Sequence, residues 1–152
     1  MLRSTTPSAT ARPAEAAIFF VYSLSMLSAL AATVRGTALY FLADSSLTLV
    51  LRPEREPLWP TQTLALLQQG PNGDERAANL TSEVPAGLNP VTVTTDASGN
   101  VDVVVSADVT TLSTTAVDQI VCTVRDTLST TAPVTLTSDA ATRGPRICPL
   151  PG

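Results

Sequence analysis

Histidine and lysine are both missing from this chain, and each absence closes a class of function. Without imidazole there is no Ser-His-Asp or Cys-His nucleophilic site and no histidine metal ligand. Without lysine, all nine positive charges are arginine, and the net charge is −4. The arginines are scattered, so they offer no basic footprint for nucleic acid and no polybasic tract for anionic lipid. Aromatics are scarce too, with one Trp, two Tyr and three Phe, so the core must be built from Ala, Val, Leu and Ile. The word "GPNG" at 70–73 lacks the Gly-Lys-Ser/Thr of a phosphate loop and reads as a helix stop followed by a turn. No cofactor site and no metal site is expected.

The carboxylates that could carry acid–base chemistry are Asp102, Asp118 and Asp126. Paired-carboxylate hydrolysis needs two such groups at a defined separation. Asp118 and Asp126 share a polar helix face but lie two turns apart, so both are read as solvated surface. Asp102 alternates with Val101 and Val103 and is expected on the solvent side of its strand. An enzyme working with Asp and Arg alone is therefore the weakest reading. Trp59 beside Pro60 could serve recognition, but packing against the sheet is the expectation. Asn79-Leu80-Thr81 matches a glycosylation sequon, which matters only in a eukaryotic secretory host.

Residues 16–34, "AAIFFVYSLSMLSALAATV", carry no charge, and Arg35 ends the run. A secretory apolar region runs about 7–15 residues and a membrane span about 20, so this stretch sits between the two. Ser23, Ser25, Ser28 and Thr33 dilute it, and Ala29-Leu30-Ala31 supplies a small-residue cleavage signature. Residues 1–35 are thus read as an export signal or membrane anchor, with a buried core helix as the bland alternative. Either main reading places the remainder outside the cytoplasm. Residues 36–148 are read as one domain and 149–152 as a tail.

Within the domain, "ALYFL" and "LTLVLR" flank the polar turn "ADSS" and read as a β-hairpin stopped by Pro53. Residues 61–69 are expected to be helical, started by Pro60 and ended by Gly70-Pro71. "NGDERAANL" adds one helical turn capped by Asn72 or Asp74. "VTVTT" and "VDVVVS" form a second hairpin around "DASGN". Val117, Ile120, Val121, Val124 and Leu128 make one stripe of a helix that Ser113 or Thr114 can cap. "PVTLT" is a last strand, and the remainder reads as irregular. The order β-β-α-β-β-α-β, with two helices on one face of a small mixed sheet, defines an α+β class.

The two cysteines are Cys122 and Cys148. At about 100° per residue, Cys122 lies roughly 140° from the apolar stripe, on the polar helix face. Cys148 lies in a Pro-rich tail. In an exported chain such a pair reads as a disulfide strapping the tail over the outer face of the helix. The alternative is two free thiols in a reduced compartment, or Cys122 under a partner.

The words "LYFLADSSLTLVLR", "TLALLQQGPNGDERAANLTSEVPAGL", "VTVTTDASGNVDVVVS" and "AVDQIVCTVRDT", taken in order, resemble the GerMN domain of sporulation and spore-germination proteins, a domain of actinobacterial envelope lipoproteins. The resemblance covers about residues 36–148. Its motif positions are Tyr40, Phe41 and Arg52 in the first hairpin, then Gly70, Pro71 and Glu75 after the first helix. Pro85 and Gly87 follow Leu80 in a loop, and Gln119 precedes Ile120 and Val121 in the last helix. The chain departs from the family at Thr33, where lipoprotein members carry the lipid-accepting cysteine. It departs again at Asp44-Ser45-Ser46, where the turn usually contains glycine.

The resemblance implies a fold similar to ring-building domains and a non-catalytic, extracytoplasmic assembly or interaction module. Its implied partners are envelope or membrane proteins and further copies of itself, with membrane contact through residues 16–34 if that segment is uncleaved. A second reading is a secreted module that binds a small ligand or a cell-wall fragment.

Overall fold

The computed structural model of the protein describes residues 35–151, so the export or anchor segment expected at 16–34 lies outside the described residues. The chain begins with β1 (Arg35–Ala43) and β2 (Ser46–Glu54). Asp44 and Ser45 join them with φ of 50° and 66°, the two left-handed residues that a tight hairpin turn matching strand twist requires. Asp and Ser thus occupy positions that favour glycine. Pro53 does not stop β2, which continues to Glu54. The reason is topological: β2 is an edge strand, where a missing N–H need not break the ladder.

Helix α1 (Pro60–Gln69) starts on its proline, and α2 (Gly73–Ala77) is capped by Asn72, whose side chain accepts from the Glu75 N–H at 2.9 Å. A two-residue strand β3 (Leu80–Thr81) follows, then β4 (Val91–Thr95) and β5 (Val101–Val105). A 3₁₀ turn (Val109–Thr111) leads into α3 (Thr114–Leu128), with Ser113 accepting from the Ala116 N–H at 3.0 Å. Strands β6 (Val134–Thr137) and β7 (Thr142–Arg146) complete the domain.

The α+β class stands, but the strands divide into two sheets where one was expected. The first sheet has the order β2-β1-β3, and the second the order β4-β5-β6-β7. In the second sheet β5 and β6 run parallel, because α3 carries the chain across between them. The two neighbouring pairs are antiparallel. The tail, read as irregular, contains β7. Its sequence TRGPR carries no alternating apolar signal, and its pairing with β6 is interrupted by a register shift.

Apolar packing explains the arrangement. Val101, Val103, Val105, Val134 and Leu136 join Val117, Ile120, Val121 and Val124 of α3 in one core. Each such side chain contributes roughly 1.5–3 kcal/mol on full burial. Helix α1 packs on α3 and on β4, and α3 packs on β6. Four successive residues of β1, Leu39 to Leu42, are all buried. A strand covered on both faces reads as a continuous apolar run, which is why "LYFL" does not alternate.

Candidate functional site

Four of the family-motif residues meet at one joint. Arg52 on β2 donates from Nε to Glu75 Oε2 at 3.0 Å and from Nη2 to Glu75 Oε1 at 2.7 Å. The same Nη2 donates to the Gly70 carbonyl at 3.2 Å, satisfying a backbone acceptor just past the end of α1. The guanidinium carbon lies 5.6 Å from the centroid of the Phe41 ring, within cation–π range. Glu75 also accepts from the Asn72 N–H at 2.9 Å, closing a capping box. Those hydrogen bonds, Arg52 foremost, hold the Glu75 carboxyl below its ordinary range. Pro71 flanks the joint and its carbonyl accepts from Arg76 at 2.7 Å.

Tyr40 and Gln119 form a second joint. Gln119 Nε2 donates to the Tyr40 carbonyl at 2.9 Å and to Ser82 Oγ at 3.0 Å, while its Oε1 accepts from the Glu83 N–H at 2.9 Å. The Tyr40 N–H donates to Thr123 Oγ1 at 3.2 Å. Both main-chain groups of a buried strand residue are thus taken up by side chains one helical turn apart on α3. The Tyr40 hydroxyl donates to Asp126 Oδ2 at 2.6 Å and accepts from Arg125 Nη2 at 3.2 Å. Burial, with the adjacent Asp126 carboxylate, pushes the phenol upward from its ordinary value.

The tail lies along a third side of α3. Arg146 pairs with Asp118, Cys148 is disulfide-bonded to Cys122, and the Leu150 carbonyl accepts from Arg125 Nη1 at 3.0 Å. Alternate tail residues therefore meet successive turns of the helix. Cys122 does not occupy a solvated face as expected. It is fully buried, and Cys148 is nearly so, because the tail itself covers that side of α3. Asp118 and Asp126 are likewise not free surface carboxylates: one holds Arg146, the other Tyr40 and Arg125. Nothing in a helical wheel announces those partners, which lie up to 86 residues away.

Pro85 and Gly87 join neither joint. They are exposed in a loop pinned by buried Val84 and Leu88, with Gln68 accepting from the Leu88 N–H at 3.1 Å. Gln68, Thr123 and Arg125 are buried polar groups that sequence reading passed over. Only Thr123 carried a signal, its position at i+4 from Gln119. Trp59 does not pack against the sheet but is 74% exposed at the start of α1, where its main-chain N–H donates to Gln62 Oε1. Leu49 and Leu51 on edge strand β2 are exposed as well. Among the described residues, no group of three or more His, Cys, Asp or Glu could hold a metal ion, and no helix is long and apolar enough to cross a membrane.

The fold and its polar joints define a small α+β domain in which motif residues tie the first hairpin to the helices. The family model described as Germane, sporulation and spore germination, matches residues 38–142. That match spans more than half of the chain, and the chain belongs to this family. No significant match to a curated protein or to a solved structure was found.

Proposed function

We propose that the protein is a non-catalytic interaction module of the bacterial cell envelope, related to sporulation or to an envelope complex, that docks a partner on the edge of its first sheet. The observation that carries this reading is β2. It is a nine-residue edge strand in which Leu49 and Leu51 are 47% and 65% exposed, with no charge between Ser46 and Leu51. Soluble proteins usually blunt such an edge with lysine, a bulge or a cover. Strand addition from a partner would satisfy the open backbone groups and bury both leucines. Glu75, Asp118 and Asp126 are engaged in structural pairs, which supports a role without catalysis. The Cys122–Cys148 disulfide is compatible with an extracytoplasmic location, where such bonds persist.

The test is photo-crosslinking in the native host from a benzoylphenylalanine placed at position 49 or 51, with position 139 as the control. A discrete adduct from 49 and 51, either to one envelope protein or to a second copy, is the expected result. Adducts no more abundant than at position 139 would overturn the reading. Fractionation of the same cells reports whether the chain is exported.

A further inference from the structure

The second sheet carries a groove of about 440 Å³ that neither the family match nor the edge strand explains. Its floor includes a row across three strands. Thr94 on β4 stands opposite Asp102 on β5, and Asp102 stands opposite Thr135 on β6. At about 4.8 Å per strand, this row places one carboxylate between two hydroxyl-bearing residues. Pro133 and Pro145 complete the lining on the β6–β7 side. Asp102 is half-buried, and Thr137 Oγ1 donates to its Oδ1 at 2.7 Å, which orients the carboxylate. Its Oδ2 has no partner among the described residues. The groove's other carboxylate, Asp96, is occupied by its own turn, accepting from the Ser98 and Asn100 N–H groups. Among the described residues, no cation lines the groove.

We infer that this groove receives an arginine or lysine side chain of a polypeptide partner. The oriented Asp102 carboxylate takes the charged head, the Thr94 and Thr135 hydroxyls accept its remaining N–H donors, and the two proline rings flank the methylene stem. A phosphate or other anion would meet the negative charge of Asp102 and Asp96, with no cation among the described lining residues to offset it. The chain's own balance agrees: it has no lysine and a net charge of −4, so a basic partner is complementary to it. This site lies on the second sheet, apart from β2 on the first, so the two readings stand or fall separately.

The test is an amide-shift titration of the full ¹⁵N-labelled chain with Nα-acetyl-arginine amide and Nα-acetyl-lysine amide. The uncharged isostere Nα-acetyl-citrulline amide and the amino sugar glucosamine serve as comparison ligands. The expected result is saturable shifts at Thr94, Asp102 and Thr135 with the two cationic amides and none with citrulline. D102N should weaken binding about tenfold or more, T135V several-fold, and D139N, a change at an exposed carboxylate outside the groove, not at all. Shifts elsewhere, equal binding of the citrulline amide, or unchanged affinity in D102N and T135V would overturn the inference. Glucosamine binding as tightly as the arginine amide would overturn the assignment to a polypeptide.

Discussion

Gln119, on the third helix, donates to the main-chain carbonyl of Tyr40, on the first strand, across 79 residues of sequence. The strand neighbour β3 pairs with β1 only at Leu42 and Ala43, so among the described residues Tyr40 has no strand partner on that side. Gln119 and Thr123 supply what a strand would have supplied. Side chains of α3 thereby finish the sheet and fix where the first hairpin meets the helix.

Replacing Gln119 with leucine keeps the volume roughly constant but strands the Tyr40 carbonyl and the Glu83 N–H, and leaves the Ser82 hydroxyl with only the Val84 N–H. Leaving buried polar groups unpaired costs about 1–3 kcal/mol each. Partial access of water at Glu83 moderates the sum, so Q119L is expected to lose about 2–4 kcal/mol in urea unfolding. A loss below about 1 kcal/mol would show that the joint is ornamental.

The Arg52–Glu75 joint is expected to behave as one unit. R52A leaves Glu75 with only the Asn72 N–H and the Gly70 carbonyl without its side-chain donor, and E75A also removes the capping box. Each single substitution should cost about 2–3 kcal/mol, from charge-assisted hydrogen bonds in a largely buried place. The double variant should cost clearly less than the sum, because the pair shares its interaction. A strictly additive double-mutant cycle would argue against direct coupling.

Acid should weaken the fold through Glu75. Its folded pKa is lowered, first by the Arg52 hydrogen bonds, so the folded state favours the charged form. The resulting stability is fully present above the unfolded carboxyl value, near about 4.3, and is lost as pH falls through the lower folded value. Urea midpoints measured from neutral to acid pH should drop below about pH 4.5, and E75Q should remove part of that slope. Tyr40 has the opposite profile. Its raised phenol value means stability is retained below about pH 10 and lost as pH rises through the folded value, and Y40F should flatten that alkaline loss.

The disulfide closes a loop with a sequence separation of 26. In the chain-entropy picture this contributes about 3.5 kcal/mol, and the C122S/C148S variant should lose about that much. Intact-mass analysis after thiol alkylation, without reductant, should find no free thiol in the native protein. Two alkylated cysteines in protein taken directly from its host would refute the bond.

Much of the local structure was legible in the chain. Period two marks "VTVTT" and "VDVVV", and the 3.6-residue stripe from Val117 to Leu128 marks α3. Ser113 and Asn72 announce the helix starts, because a side-chain acceptor is needed where the first N–H groups lack partners. Strand β7 was missed because Arg143, Gly144, Pro145 and Arg146 carry none of the apolar alternation on which strand reading depends. The candidate docking strand was legible as a strand, but its edge position was not. The groove row of Thr94, Asp102 and Thr135 was invisible, since it draws on three strands and two registers.

What the sequence by itself determined is local: the hairpins, their turns, the caps, the apolar stripe of α3 and a pairing for its only two cysteines. All but the cysteine pairing, which rests on there being only two, follow from backbone geometry over a few residues. Only the tertiary structure decided that the strands form two sheets and that the tail buries Cys122. It alone turned Asp118 and Asp126 into partners of Arg146 and Tyr40. The physical reason is that a periodic pattern reports which face of an element is apolar, whereas the partner of a polar side chain depends on atoms brought close by the fold. A polar face on a helical wheel can be wet or internally satisfied, and α3 carries its polar groups inward.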